Sequence, residues 1–210
     1  MAASHRPALA HLRRVDPILA DIIARVGSPP PPPRRTGTHY EALVRAIVYQ
    51  QLSGKAAGTI HRRFRELYPS KRPRAERVLA TSDEALRGAG LSRQKIGYLR
   101  DLSARVADRS LPLAHLGRLP DDPIIEHLVQ VKGIGRWTAQ MFLMFRLGRP
   151  DVLPELDLGV QNAIRLAYGL PSRPTPKDVL RIGAPWRPWA SVASWYLWRS
   201  LENGDGQLGA

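Results

Sequence analysis

Cysteine is absent from all 210 residues. That absence excludes disulfides, thiolate zinc sites, cysteine nucleophiles and cysteine-ligated iron–sulfur clusters. Long apolar runs are missing too: no stretch approaches the roughly 20 residues that a membrane-spanning helix needs. The N-terminal Met1-Ala-Ala-Ser-His-Arg-Pro7 lacks the apolar segment of a secretory signal. Its first acidic residue is Asp16, a faint likeness to an organellar transit peptide. A helical pattern over 15–26, with Pro17 in its first turn, speaks instead for folded chain. The expectation is a soluble, intracellular protein without a membrane partner. Acidic residues are scarce, 18 against 32 Lys and Arg, giving a formal charge of +14 and a pI near 11.1. Such a surplus suits a polyanionic partner, nucleic acid first and an anionic membrane second. The basic residues are mostly arginine and are spread along the chain, so charge supports nucleic acid without establishing it.

Strand signals are also lacking. No segment sustains a period-two alternation, no Asn-Gly or Asp-Gly pair sits between alternating segments, and no repeat of solenoid period occurs. What remains is helical, and the chain is long enough for one good core or two small lobes. Ser28 followed by Pro29–Pro33 reads as a stiff extended connector, a spacer or a proline ligand for another domain. Thr38 with Glu41 forms a capping box ahead of Leu43, Ala46 and Ile47 at helical spacing. Gln50-Gln-Leu-Ser-Gly54 breaks that pattern, and a second helix runs from about 55 to 67. Short helices at 75–79 and 83–86 lead to Gly88-Ala-Gly90. A longer helix at 92–106 carries Ile96, Leu99, Leu102 and Val106 on one stripe. Helices are further expected at 120–128, 157–168, 175–182 and 188–199, and a frayed tail at 202–210.

The most informative stretch is 128–142. Val131-Lys-Gly-Ile-Gly135 sets two glycines between apolar helical patterns. Glycine tolerates positive φ and close backbone approach. The pattern predicts a helix, a tight hairpin and a second helix whose first N–H groups point outward. Such groups, with the helix dipole, form an anion site suited to phosphate. An ordinary αα-corner with a glycine turn fits the same pattern. Downstream, Leu153-Pro-Glu-Leu-Asp-Leu-Gly-Val160 contains Asp157, a natural N-cap. The hairpin's second helix spans some 11 residues, roughly 16 Å. The connector of about 10 residues reaches ~33 Å when extended. The chain is therefore able to return Asp157 to the hairpin's phosphate-facing end, where a carboxylate is electrostatically out of place unless it caps, ligates metal or does chemistry.

Gly133-Ile-Gly-Arg-Trp-Thr-Ala139, with Asp157-Leu-Gly-Val160 beginning 18 residues after Ala139, resembles the helix–hairpin–helix, Gly/Pro-Asp superfamily of DNA glycosylases, nearest its DNA-3-methyladenine glycosylase II branch. Gln50-Gln-Leu-Ser-Gly-Lys-Ala-Ala57, the Leu86 to Ile96 stretch and Trp186-Arg-Pro-Trp189 ahead of Trp198 extend the resemblance over about 40–199, in order. It implies an all-α fold of two helical subdomains flanking a DNA-binding cleft, one from 1–36 plus about 150–210 and one from about 37–149 with its hairpin at 128–142. The partner implied is double-stranded DNA containing alkylated bases, met by a monomer with no required cofactor. The setting implied is the bacterial cytoplasm and nucleoid or the eukaryotic nucleus.

The resemblance also implies roles. Asp157 is the catalytic carboxylate, facing oxocarbenium charge on the sugar. Trp137, Trp198, Met141 and Leu158 line the base pocket, where aromatic faces suit a cationic base. Met141 and Leu158 depart from the aromatics some members place there, which bears on the range of bases accepted. Leu52 is the wedge left in the stack by an extruded base, with Gln51 and Ser53 along the minor groove. Lys132 and the backbone of Gly133, Gly135 and Thr138 meet phosphate. The carbonyls of Val129, Val131 and Gly133 hold a structural monovalent cation. Trp137 stands where strand-nicking relatives carry a lysine, so the expected reaction stops at an intact abasic site. The alternatives are a non-catalytic binder of bent or damaged DNA and a glycosylase for oxidised or mismatched bases.

Overall fold

Capping chemistry sets most of the boundaries in the computed structural model, which describes residues 5–31 and 36–203. Among these residues all regular structure is helical and no strand occurs. Pro32, Pro33 and the tail from 204 lie outside the described residues. The chain begins with α1 (Arg6–Val15) and α2 (Pro17–Val26). It continues through α3 (His39–Tyr49), α4 (Gly54–Glu66), α5 (Ala75–Ala80), α6 (Asp83–Gly88), α7 (Arg93–Ala107), α8 (Leu113–Leu116), α9 (Asp121–Val129) and α10 (Arg136–Phe142). A π-helical turn, Leu143–Leu147, precedes α11 (Leu158–Ala167), α12 (Pro176–Gly183) and α13 (Ala190–Asn203). None of the described helices is long and apolar enough to cross a membrane.

The two caps read from the sequence, at Thr38 and Asp157, are present, and Ser92 and Thr175 add two more. Thr38 and Glu41 form the capping box of α3. Ser92 caps α7, Asp157 caps α11, and Thr175 with Asp178 boxes α12. Each such cap is worth about 1 kcal/mol, which explains why sequence reading placed these starts within a residue or two. α1 went unforeseen, because its apolar stripe is short and arginine surrounds it. The end of α13 also lies beyond the expected one: Glu202 and Asn203 continue the helix instead of starting the tail.

Contacts divide the chain into two units, Met1–Arg34 with Leu143–Ala210, and Arg35–Phe142. The second cut falls where α10 gives way to π-helical winding. In the first unit Leu12, Leu19, Ile22, Ile164, Trp186 and Tyr196 share a core. Inside it the Asp16 carboxylate accepts from the Leu19 N–H at 2.9 Å and the Trp186 indole at 2.7 Å, and from the Tyr168 hydroxyl. A buried carboxylate is costly unless its oxygens are satisfied in this way. In the second unit Leu43, Ile47, Phe64, Leu86, Leu99 and Leu102 are fully buried. There the Tyr40 hydroxyl pairs with Ser103 Oγ at 2.7 Å, and burial drives the phenol well above its ordinary range.

Candidate nucleic-acid interface and catalytic acid

In the second unit α3 ends at Tyr49 and hands over to a turn at 50–53, exposed from Gln51 onward. Gln51 lies at φ +55, a left-handed conformation uncommon for a non-glycine residue. Leu52 is 39% exposed, in contrast to the buried aliphatics of α3. The Ser53 hydroxyl caps α4 by accepting from the Ala56 N–H at 3.4 Å. Lys95 on α7 donates to the carbonyls of Val48 at 2.7 Å and Gln50 at 2.8 Å. Desolvation pushes its ammonium below the usual lysine range. The Gln50 amide reaches on to the Gly133 carbonyl at 2.8 Å, joining this turn to the glycine hairpin.

The hairpin is built as the sequence predicts, but its two glycines serve different needs. Gly133 lies at φ +81, and a Cβ there would sit 2.2 Å from the Tyr98 ring. Gly135 has no positive φ and no neighbour within 4 Å of a Cβ. The left-handed turn and close approach expected of both glycines therefore hold for Gly133 alone. At Gly135 the missing side chain leaves the approach to the start of α10 open. The α10 ladder begins with the Ala139 N–H donating to Gly135 at 3.0 Å. The first-turn N–H groups precede that ladder, the arrangement that suits an anion. Lys132 keeps an exposed side chain while its backbone N–H donates to Asp101 at 2.9 Å. Val131 already accepts from the Ile134 N–H at 3.0 Å, as Gly133 does from Gln50.

Beside the hairpin lies a cleft of about 510 Å³, lined by Gln51, Gly133, Trp137, Thr138 and Met141, together with Arg45, Ala46, Tyr49, Gln50 and Tyr98. Trp137 is 42% exposed, so its ring offers a face to a ligand. The Arg45 guanidinium stacks 3.8 Å from the Tyr49 ring centre. The His61 ring meets Tyr49 edge-on at 6.0 Å. Burial, reinforced by Arg65 and Arg45, lowers the His61 imidazole to about 4, leaving it neutral near pH 7.

In the first unit Asp157 is 8% exposed. Its Oδ1 accepts from the Val160 N–H and from the Trp198 indole N–H, each at 2.8 Å. Two donors on one oxygen fix the rotation of the carboxylate. Trp198 also stacks on Phe145, with ring centres 5.8 Å apart and planes 29° from parallel. Gly159 makes this fit possible: a Cβ there would come within 2.9 Å of the Trp198 ring and 3.0 Å of Asp157 Oδ1. Leu158 is 59% exposed beside the acid. Gly159→Ala should displace the indole and lower stability by about 1–3 kcal/mol, as overpacking does. Urea unfolding and the Trp198 indole proton resonance check this. An unmoved resonance would refute the tight fit.

Of the residues singled out from sequence, Gln51, Gly133, Trp137, Thr138 and Met141 meet at one cleft, with Leu52 and Ser53 on the adjoining turn. Asp157, Leu158 and Trp198 form a cluster in the first unit. Sequence reading passed over Lys95, Tyr98, Arg45, Tyr49, Phe145 and Gly159. The i, i+4 pair Arg45–Tyr49 left a readable signal on its helix face. The others act through contacts remote in sequence.

Residues 44–188 match the family described as HhH-GPD superfamily base excision DNA repair protein. The DNA-3-methyladenine glycosylase 1 of Schizosaccharomyces pombe is 37% identical over 168 residues, which cover 79% of this chain and 74% of that protein. A putative DNA-3-methyladenine glycosylase of Bacillus subtilis is 35% identical over 169 residues, and the match spans 78% of this chain but only 59% of that protein. Among solved structures, the Schizosaccharomyces pombe 3-methyladenine DNA glycosylase in complex with abasic DNA superposes with a TM-score of 0.84 at 34% identity, covering 95% of this chain and 98% of that one.

Proposed function

We propose a function from one premise: the chain belongs to the HhH-GPD superfamily of base excision DNA repair proteins. It is a DNA glycosylase that removes alkylated bases of the 3-methyladenine and 7-methylguanine type. It acts as a monomer on duplex DNA. The observation that carries this reading is Asp157, a buried carboxylate oriented by an indole N–H and a helix N-terminus. Named relatives that are DNA-3-methyladenine glycosylases support the substrate class.

The chemistry follows from the residues. The hairpin backbone at Gly133, Gly135 and Thr138, with Lys132, grips a phosphate. Leu52 enters the stack where the damaged nucleotide leaves it, offsetting an extrusion cost of a few kcal/mol. Gln51 and Ser53 follow the minor groove. As the bond between C1′ and the base nitrogen lengthens, positive charge grows on the sugar, and the Asp157 anion stabilises it. Water then adds to C1′ and gives its proton to Asp157, while the base departs with the bonding electrons. An alkylated base is already cationic and leaves as a neutral molecule, so no general acid is required. Trp198 and Leu158, which flank Asp157, contact that base, the indole through its electron-rich face.

Trp137 cannot form a Schiff base, so the product is an intact abasic site. The carbonyls of Val129, Val131 and Gly133 suit a monovalent cation. A carbonyl has two lone pairs, so Val131 and Gly133 each keep one beyond their hydrogen bonds. Such an ion, when bound, supplies positive charge toward a phosphate.

The test is to incubate the protein with methylated DNA and separate released bases by chromatography. Free 3-methyladenine and 7-methylguanine are expected, with strand breaks only after alkali or heat. Binding without release would make the protein a non-catalytic damage binder. Release of oxidised or mismatched bases instead would move it to another branch. Breaks without alkali would overturn the assignment to Trp137.

A further inference from the structure

The turn at 50–53 exposes the side chains of Gln51, Leu52 and Ser53, yet its backbone is held from behind. Gln51 adopts its left-handed conformation without being glycine. Such conformations persist where the surroundings over-determine them, and they cluster at functional sites. The surroundings here are one helix. Lys95 on α7 bonds two carbonyls, one from the last turn of α3 and one from the turn itself. A cation at a helix C-terminus is also favoured by the dipole. One turn further along α7, Tyr98 packs over Gly133. The Gln50 amide closes the circuit by donating to the Gly133 carbonyl. A single helix thus holds both the turn and the hairpin.

We propose that Lys95 is a positioning residue for base extrusion: it fixes the 50–53 turn against the hairpin, so that Leu52 enters the duplex at a set distance from the gripped phosphates. This rests on the glycosylase reading. Lys95 touches neither substrate nor the acid and acts through Gln50 and Gly133. Its loss therefore weakens the extrusion step and leaves the bond-breaking step intact. Lysine suits the task because three N–H donors on a flexible stem serve two carbonyls at once. Methionine matches the stem and carries no donor.

The test compares the full-length chain with Lys95→Met, Lys95→Arg and Gln50→Ala. The first readout is 7-methylguanine release from a duplex and from the same single strand, which needs no extrusion. Lys95→Met should lose about 10–100-fold on the duplex, the scale of a displaced positioning group. Its loss on the single strand should stay below about threefold, because extrusion is there bypassed. Lys95→Arg should recover most of the duplex rate. The second readout needs no chemistry: 2-aminopurine facing an abasic analogue brightens when a wedge unstacks it, and Lys95→Met should lose most of that rise at saturating protein. Should Lys95→Met fail to fold, Gln50→Ala, which cuts the turn from Gly133, must show the same duplex-selective loss. Equal losses on both substrates, or an unchanged fluorescence rise, would overturn the proposal. A wild-type chain that releases no alkylated base from either substrate would instead overturn the glycosylase reading, and the fluorescence would still decide Lys95.

Discussion

Asp157→Asn should abolish release of alkylated bases, lowering kcat by about 10³-fold or more, the range lost when acid–base and electrostatic stabilisation fail together. Asparagine is the sharpest probe because it preserves nearly everything else. It is as good an N-cap as aspartate. Its Oδ1 can still accept from the Val160 N–H and the Trp198 indole, the two bonds that hold the native carboxylate. Only the charge goes. Unfolding and duplex affinity should therefore stay near wild type, and the variant should trap substrate without turning it over. Asp157→Ala, in contrast, removes the cap as well and should cost about 1 kcal/mol of stability. Single-turnover release at saturating protein, together with gel-shift affinity, decides the matter. If Asp157→Asn released bases at more than a few per cent of the wild-type rate, the catalytic assignment would fail.

Gly133→Ala should be the most damaging single substitution in the hairpin. The added Cβ would lie 2.2 Å from the Tyr98 ring, and the backbone at φ +81 disfavours any side chain. The left-handed conformation costs roughly 1–2 kcal/mol and overpacking roughly another 1–3 kcal/mol, so a loss of about 2–5 kcal/mol is expected. Because Gly133 also receives the Gln50 amide, displacement spreads to the turn that carries Leu52. Duplex affinity should fall along with stability. The double variant Gly133→Ala/Tyr98→Ala relieves the collision and should regain part of the lost stability, a coupling that a double-mutant cycle measures. Gly135→Ala is the internal control. Its Cβ meets nothing in the protein, so stability should hold while affinity for DNA drops. Equal stability losses at the two glycines would refute the distinction.

What could be read in advance divides along physical lines. Helix starts were legible because capping is local: Thr38 with Glu41 announces α3, and Asp157 announces α11, within four residues of chain. The hairpin was legible for the same reason, as glycines between two apolar patterns. The work of each glycine was not, because Gly133 and Gly135 differ in backbone conformation and in what lies across from them, and neither difference is written in the motif. Asp157 was found by resemblance and by the oddity of its charge. Its orientation by Trp198, 41 residues away, was not. Lys95 entered only as one residue of the resemblance over Leu86 to Ile96, since nothing in its neighbours signals two carbonyls 45 and 47 residues upstream. Local patterns identify elements; the contacts that make those elements a site come from distant segments.

A ribosome delivers residues 35–142 as one uninterrupted block, and domains generally fold as units during synthesis. The hairpin's unit can therefore fold early. Asp16 has no such luck: its partner Trp186 emerges 170 residues later. Until then α1 and α2 lack the helices they pack against, and the unit that holds Asp157 stays open. Bringing such distant ends together carries a loop-closure cost that grows slowly with length, so the penalty falls mainly on folding speed. Synthesis therefore completes the hairpin's unit before Asp157 is enclosed. A nascent chain arrested after Phe142 would carry the hairpin without Asp157, the residue proposed to act at the glycosidic bond.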